Sequence, residues 1–325
     1  MVKLLDQFLP GTREMRSVYC EELMRLAEEN RDIVAINCDL TSSMGMKPFA
    51  QRFPERAFNV GIAEANGCSM AGGMSVGGLI PFFHTFAVFA SRRVCDQVFM
   101  SCAYPGLNVK IIGGDVGISA TYNGGTHMSF EDMAVLSAIP GLCILEPSDP
   151  VMLRCLVRQM AGSYGVQYLR MPRKQVVSLY DESSSFEIGK AALIREGSDL
   201  TIIAAGFLVY QALLAAEQLE EKGISARVVD MFTIKPVDAQ CIAESARKTG
   251  AIVTVENHQI RGGLGSAVSD IVVQNCPVPM EFVGVHDEFG EVGQQDYLMR
   301  RFGMDADSIV KACEKVLRRK KEEEN

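Results

Sequence analysis

One alternation narrows the fold more than any other feature: strand-length apolar runs and helix-length amphipathic segments follow one another through the chain, twice over. Strands lying under crossover helices are covered on both faces, so they read as unbroken apolar runs and point to parallel sheets. In the first pass these runs are "IVAINCD", "AFNVG", "LIPFFHTF", "NVKIIGG", "LCILEP" and "VQYLRMPR". Between them lie predicted helices, among them 62–76, "RRVCDQVFMSCA" and "PVMLRCLVRQMAG". Residues 174–187, "KQVVSLYDESSSFE", turn polar without helical or strand period and predict an interdomain linker. A second pass, "GKAALIREG", "DLTIIAAG", "SARVVDM", "AIVTVEN" and "VPMEFVGV", predicts a smaller domain. The expected fold class is α/β with two doubly wound domains, at 1–178 and 187–325.

Composition removes several functions. The 325 residues carry a net charge of -8, which disfavours a phosphate-neutralising nucleic-acid surface. Ten cysteines are scattered without a C-x-x-C pair, which suits reduced core thiols better than disulfides or a metal site. Lys3 and Asp6 interrupt the N-terminus, and no apolar span reaches membrane length. A cytoplasmic protein without membrane contact is expected, with disorder confined to the terminal "RRKKEEEN".

Three stretches carry chemistry. In "FNVGIAEANGCSMAGGMSVGG", Glu64 falls in a first helical turn, where free N–H groups favour negative charge. The glycines and alanines that follow permit close approach of another backbone or of a cofactor, and a carboxylate in such a tight site is desolvated and pushed toward its neutral form. In "PFFHTFAVFASRR", Phe83, Phe86 and Phe89 recur every three residues, as core or as an aromatic platform. In "GGDVGISATYNGGTHMSFED", Asn123 and His127 lie in a glycine-rich connection past a strand's carboxyl end, where ligands bind in open α/β sheets.

Taken in order, G-I-A-E with small residues, T-F-x-x-F, N-G-x-T-H, "LEPSDP" and "YLRMPRK" resemble the pyrimidine-binding domain of the transketolase family. The motifs "GSDLTIIAAG", "VVDMFTIKPVD", "AIVTVENH" and "GGLGSAVSD" are similar to its C-terminal domain. The resemblance implies thiamine diphosphate as cofactor and transfer of a two-carbon ketol unit from a ketose to an aldose. It implies that Glu64 bonds N1′ of the aminopyrimidine ring as a neutral carboxyl, that Phe86 and Phe89 stack on that ring, and that Ile118 lies near the cofactor's bend. His127 would face the sugar's hydroxyl and carbonyl oxygens; Arg13, Ser42 and Arg170, with Arg173 as a further candidate, would hold its terminal phosphate. The Gly-Asp-Gly motif that binds Mg2+ and diphosphate in the family's N-terminal domain is missing. A split enzyme is therefore implied, with that domain on a partner subunit in an α2β2 assembly.

Two positions depart from the family pattern. Counting back from His127, Asp115 stands where relatives carry a histidine against the phosphate, and Asn123 where they carry an aspartate reading the donor's C2 hydroxyl. Unit charges 4 Å apart at an effective dielectric of 20 repel by about 4 kcal/mol, so Asp115 beside an anion argues against an ordinary sugar-phosphate donor. Asp115 could pair with Arg13 or Arg170, or the end group could differ, a sulfonate as in 6-deoxy-6-sulfofructose being one choice and a branched sugar phosphate another. The alternatives in other classes are the β subunit of a 2-oxoacid dehydrogenase and a regulatory nucleotide-binding protein using "RGGLGS" as its phosphate loop.

Overall fold

A computed structural model describes residues 2–323. The first half supplies eight strands: β1 (Leu4–Leu9), β2 (Ile33–Asn37), β3 (Ala57–Asn59), β4 (Ile80–Phe86), β5 (Lys110–Gly114), β6 (Cys143–Leu145), β7 (Gln167–Met171) and β8 (Ser178–Tyr180). The second supplies β9 (Ala192–Arg195), β10 (Leu200–Ala204), β11 (Ala226–Asp230), β12 (Thr233–Lys235), β13 (Ile252–Gln259) and β14 (Met280–Val285).

Twelve of them form a seven-stranded sheet in the order β12-β6-β7-β5-β4-β2-β3 and a five-stranded sheet in the order β14-β13-β10-β11-β9, while β1 and β8 make a separate antiparallel pair. Within the two larger sheets pairing is parallel except at the edges, where β12 and β9 run antiparallel. Every residue of β2, β5, β7, β10 and β11 is buried, which is why these strands read as continuous runs rather than alternations. The mixed α/β architecture with parallel sheets is as the apolar pattern predicts.

Four local expectations need correction. The 174–187 stretch holds β8, which pairs with β1 and is also tied down by Asp149, whose carboxylate accepts the N–H groups of both Leu179 and Tyr180 at 3.0 Å. β12 leaves the second half of the chain to extend the first sheet beside β6, anchored by Lys235 Nζ donating to the carbonyls of Ser137 and Ile139. The predicted helix over "RRVCDQVFMSCA" is broken: a helix ends at Ser91, a short turn spans Cys95–Gln97, and Val98–Ala103 is wound as a π-helix. Finally, the tail is helical through Glu323, since Lys320 Nζ donates to the carbonyls of Asp199 and Thr249 and Arg319 to that of Met280. Among the described residues no helix is long and apolar enough to cross a membrane.

The small residues after Glu64 serve helix packing. A Cβ on Gly72 would lie 2.2 Å from the Ser101 carbonyl oxygen, so only glycine lets the π-helix backbone approach the helix Glu64–Val76 this closely. That contact holds the N-terminal turn of Glu64 at the carboxyl ends of β2, β3 and β4, where the candidate site lies.

Candidate active site

Glu64 opens its helix with a side chain only 2% exposed. Its charge is nevertheless matched: Arg93 Nη1 donates to Oε1 and Oε2, each at 2.8 Å, and Thr85 Oγ1 at the end of β4 donates to Oε1 at 3.5 Å. In the chain alone, this buried carboxyl therefore faces a guanidinium.

The phenylalanine series divides by secondary structure. Phe83 points into the core and is fully buried, Phe86 closes β4, and Phe89 sits half-buried in the helical turn Ala87–Ser91. The Phe86 and Phe89 rings lie 6.2 Å apart and tilted by 30°, with the His127 ring edge-on to both at 6.2 and 5.5 Å. His127 Nδ1 is 2.9 Å from Thr126 Oγ1, which sets the ring's orientation. A guanidinium covers each aromatic face: Arg93 lies 3.8 Å from the Phe89 centroid and Arg173 4.9 Å from that of Phe86.

Beyond β5 the chain turns sharply, with Asp115 and Thr121 at φ of +58° and +43°. Asp115 is nearly enclosed and forms an ion pair with Arg173, Nε to Oδ1 at 2.6 Å, instead of the Arg13 or Arg170 expected. Asn123 Nδ2 donates to Asp115 Oδ2 at 3.4 Å. Burial pushes the Asp115 carboxyl above the usual carboxylate range, against the pull of Arg173, Lys174 and Arg16. Ile118 is buried one residue past Gly117, and its N–H donates to Asn257 Oδ1 at 3.0 Å.

This geometry has counterparts. The pattern of the family described as "Transketolase, pyrimidine binding domain" matches residues 12–178, and that of "Transketolase, C-terminal domain" matches residues 189–309. The chain belongs to the transketolase family. A transketolase subunit named for 6-deoxy-6-sulfo-D-fructose, SqwH of Clostridium sp. (strain MSTE9), is 48% identical over 94% of this chain and 95% of its own length. A subunit of the apulose-4-phosphate transketolase of Phocaeicola vulgatus is 38% identical over 92% of this chain and 96% of its own. A solved structure described as a split gene transketolase in an inactive beta4 tetramer superposes with a TM-score of 0.88 at 41% identity, over 94% of this chain and 98% of that one.

Within this transketolase chain the expected phosphate holders do not form one cluster. Arg170 is wholly buried, and its guanidinium is used up by Asp132 at 2.8 and 3.1 Å, by Glu146 at 2.7 Å and by the Asn257 carbonyl at 3.1 Å. With two carboxylates and no exposure it cannot reach a substrate anion, and that expectation is corrected. Arg13 pairs with Glu21 near the surface, and Ser42 is exposed in the loop whose Ser43 carbonyl accepts from Arg16 Nη1 at 2.9 Å. Arg16, Arg93, Lys174 and Asn257 went unmarked as site residues in the sequence. Lys174 and Asn257 lie inside the motifs "YLRMPRK" and "AIVTVENH" without standing out there, and Arg93 belongs to the doubled arginine of "SRRV".

The phosphate-loop alternative fails on its own motif. Helix Leu264–Asn275 has its first N–H groups filled by Glu256, which accepts from Leu264 at 2.7 Å and from Gly265 at 2.9 Å. Desolvation raises the carboxyl of Glu256 to about 8, against those two hydrogen bonds. A buried side chain therefore occupies the place a phosphate would need.

Proposed function

We propose that this chain is the pyrimidine-side subunit of a split, thiamine diphosphate-dependent transketolase, with domains at 1–178 and 187–325 and an N-terminal partner subunit completing an α2β2 assembly. Glu64, Phe86 and Phe89 hold the aminopyrimidine ring, and Ile118 lies near the cofactor's bend. The observation that carries this is the stand-in at Glu64: a flat cation already lies on the Phe89 face while donating to the buried carboxylate. Those are the contacts a protonated or amino-bearing heteroaromatic ring would make, so the donor set fits the cofactor. The magnesium ligands are assigned to the partner subunit, and the complex to the cytoplasm.

When bound, thiamine diphosphate supplies the nucleophilic carbon and the electron sink that ketose cleavage requires. The chain's own residues do the rest. Glu64 holds a proton at the ring nitrogen, Phe86 and Phe89 fix the ring plane and exclude water, and His127, steadied by Thr126, orients the sugar oxygens and moves a proton between them.

For the donor's end group we propose an anion of low charge, a sulfonate in preference to a phosphate. Arg173 offers the positive charge, with Arg16, Lys174 and Asn123 about the same carboxylate and Arg13 and Ser42 kept as outlying candidates, but Asp115 cancels one unit at 2.6 Å. A phosphate with nearly two negative charges suffers from that neighbour more than a sulfonate with one. The 48% relative named for a sulfosugar supports the same choice.

The test is Glu64→Gln in the complex assembled with its partner subunit. Ketose cleavage should fall by about 100-fold or more with the melting temperature unchanged. Retained cleavage would overturn the reading, and pyruvate decarboxylation without ketose cleavage would move the chain to the 2-oxoacid dehydrogenases.

A further inference from the structure

Arg93 bridges the buried Glu64 carboxylate and the Phe89 ring. It stands just past the helical turn Ala87–Ser91, with 43% of its side chain open to solvent, yet its guanidinium reaches a carboxylate that is only 2% exposed. Two of its surfaces are engaged at once. One edge donates to both oxygens of Glu64 at 2.8 Å, and its face lies 3.8 Å from the centre of the Phe89 ring.

A second planar group cannot share that ring face or those two oxygens. The buried carboxylate, however, cannot be left without a partner, since an uncompensated charge at such a position is strongly destabilising. An occupant that is cationic, flat and tethered by a flexible stem satisfies Glu64 before cofactor arrives and can still withdraw into the solvent it already touches.

We infer that Arg93 is a built-in placeholder for the cofactor's aminopyrimidine ring, so that loading the site is an exchange in which the guanidinium leaves Glu64 and Phe89 as the ring arrives. This rests on the function proposed above. It assigns Arg93 a part in cofactor affinity, separate from the chemistry of the sugar. The cofactor-free subunit keeps its buried carboxylate paired, and cofactor binds with an affinity lowered by the strength of the contact it displaces.

The test measures binding and stability, not turnover. Calorimetric titration of thiamine diphosphate with Mg2+ into the assembled complex is compared for wild type, Arg93→Met and Arg93→Lys. Methionine keeps an apolar stem against Phe89 but cannot pair with Glu64; it should tighten cofactor binding by about ten-fold, with lysine, charged but not planar, lying between. The melting temperature of the cofactor-free complex should fall in Arg93→Met while that of the loaded complex stays at the wild-type value, because only the cofactor-free state uses the contact. A purely structural ion pair would lower both melting temperatures equally and leave binding unchanged or weaker, and that result overturns the placeholder. If cofactor affinity is also indifferent to Glu64→Gln, the assignment of the site falls with it; Glu64-dependent binding that Arg93→Met fails to tighten overturns the placeholder alone.

Discussion

Asn257, from the second half of the chain, clamps the backbone on both sides of Gly117: its Nδ2 donates to the Val116 carbonyl at 3.0 Å, and its Oδ1 accepts the N–H of Ile118 at 3.0 Å. Gly117 has φ +47°, and a Cβ there would lie 2.1 Å from Asn257 Oδ1. Side chain and glycine are therefore one device, in which the C-terminal domain sets the loop that carries Ile118, Asn123 and His127.

Releasing that clamp should disturb the site before the fold. Asn257→Ala strips the buried Ile118 N–H of its acceptor, at a cost of about 1–3 kcal/mol, and leaves the Val116 carbonyl held only by the N–H and hydroxyl of Ser119. In the assembled complex kcat/KM for the ketose should fall by about ten-fold or more, since small displacements of positioning groups are expensive. Gly117→Ala should do the same through backbone strain. Denaturation curves and kinetics on the two variants decide this; wild-type kcat/KM in both would refute it.

The ion pair of Asp115 with Arg173 makes a separate claim about donor choice. Asp115→His removes the carboxylate and frees the guanidinium. The ratio of kcat/KM for phosphate-ended over sulfonate-ended ketoses should rise by about ten-fold or more. An unchanged ratio would remove Asp115 from specificity.

Arg170 predicts a different signature, because its partners are buried carboxylates and not substrate. Arg170→Met strands Asp132 and Glu146, and unfolding free energy should drop by about 3–5 kcal/mol. Arg170→Lys keeps the charge but loses the fork that spans both oxygens of Asp132, so it should fall between. A rise in KM for the donor without loss of stability would instead return Arg170 to the substrate site.

His84 sets a pH dependence. It is fully enclosed on β4, with Tyr19 Oη 2.8 Å from Nε2 and the Ile36 carbonyl 3.1 Å from Nδ1, and burial pulls its imidazole down from 6.5 to about 4. The unfolded chain therefore binds the proton first as pH falls. Stability from this residue is complete above its unfolded value and is lost between there and about pH 4, amounting to about 3 kcal/mol. Glu256, raised to about 8, acts in the opposite sense, so the reading is differential: the stability gap between wild type and His84→Gln should narrow by that amount on acidification. A gap independent of pH would contradict it.

How much of this was legible depended on the range of the interaction. Runs such as "IVAIN" and "LTIIA" carry their own evidence, because a strand buried on both faces needs apolar residues at every position. Glu64, Phe86, Phe89 and His127 are marked by ordered motifs, and contacts link all four: Arg93 joins Glu64 to the Phe89 face, and the His127 ring stands edge-on to Phe86 and Phe89. Strands β8 and β12 were missed because three residues have no period to detect, and because their hydrogen-bond partners lie far off in sequence. The helical tail was missed since its charged residues look solvated until Lys320 finds the carbonyls of Asp199 and Thr249.

By itself, then, the sequence determined the α/β class, the pairing of two sheets and the set of chemical groups available, since periodicity and residue type are local properties. Which charge answers which was decided only in three dimensions. Arg170 and Arg173 are three residues apart and equally cationic, yet one is sealed against Asp132 and Glu146 and the other is delivered to Asp115. Arg93 takes Glu64 for the same reason: burial makes an unpaired carboxylate costly, and the packing of helix against strand settles which guanidinium is within reach.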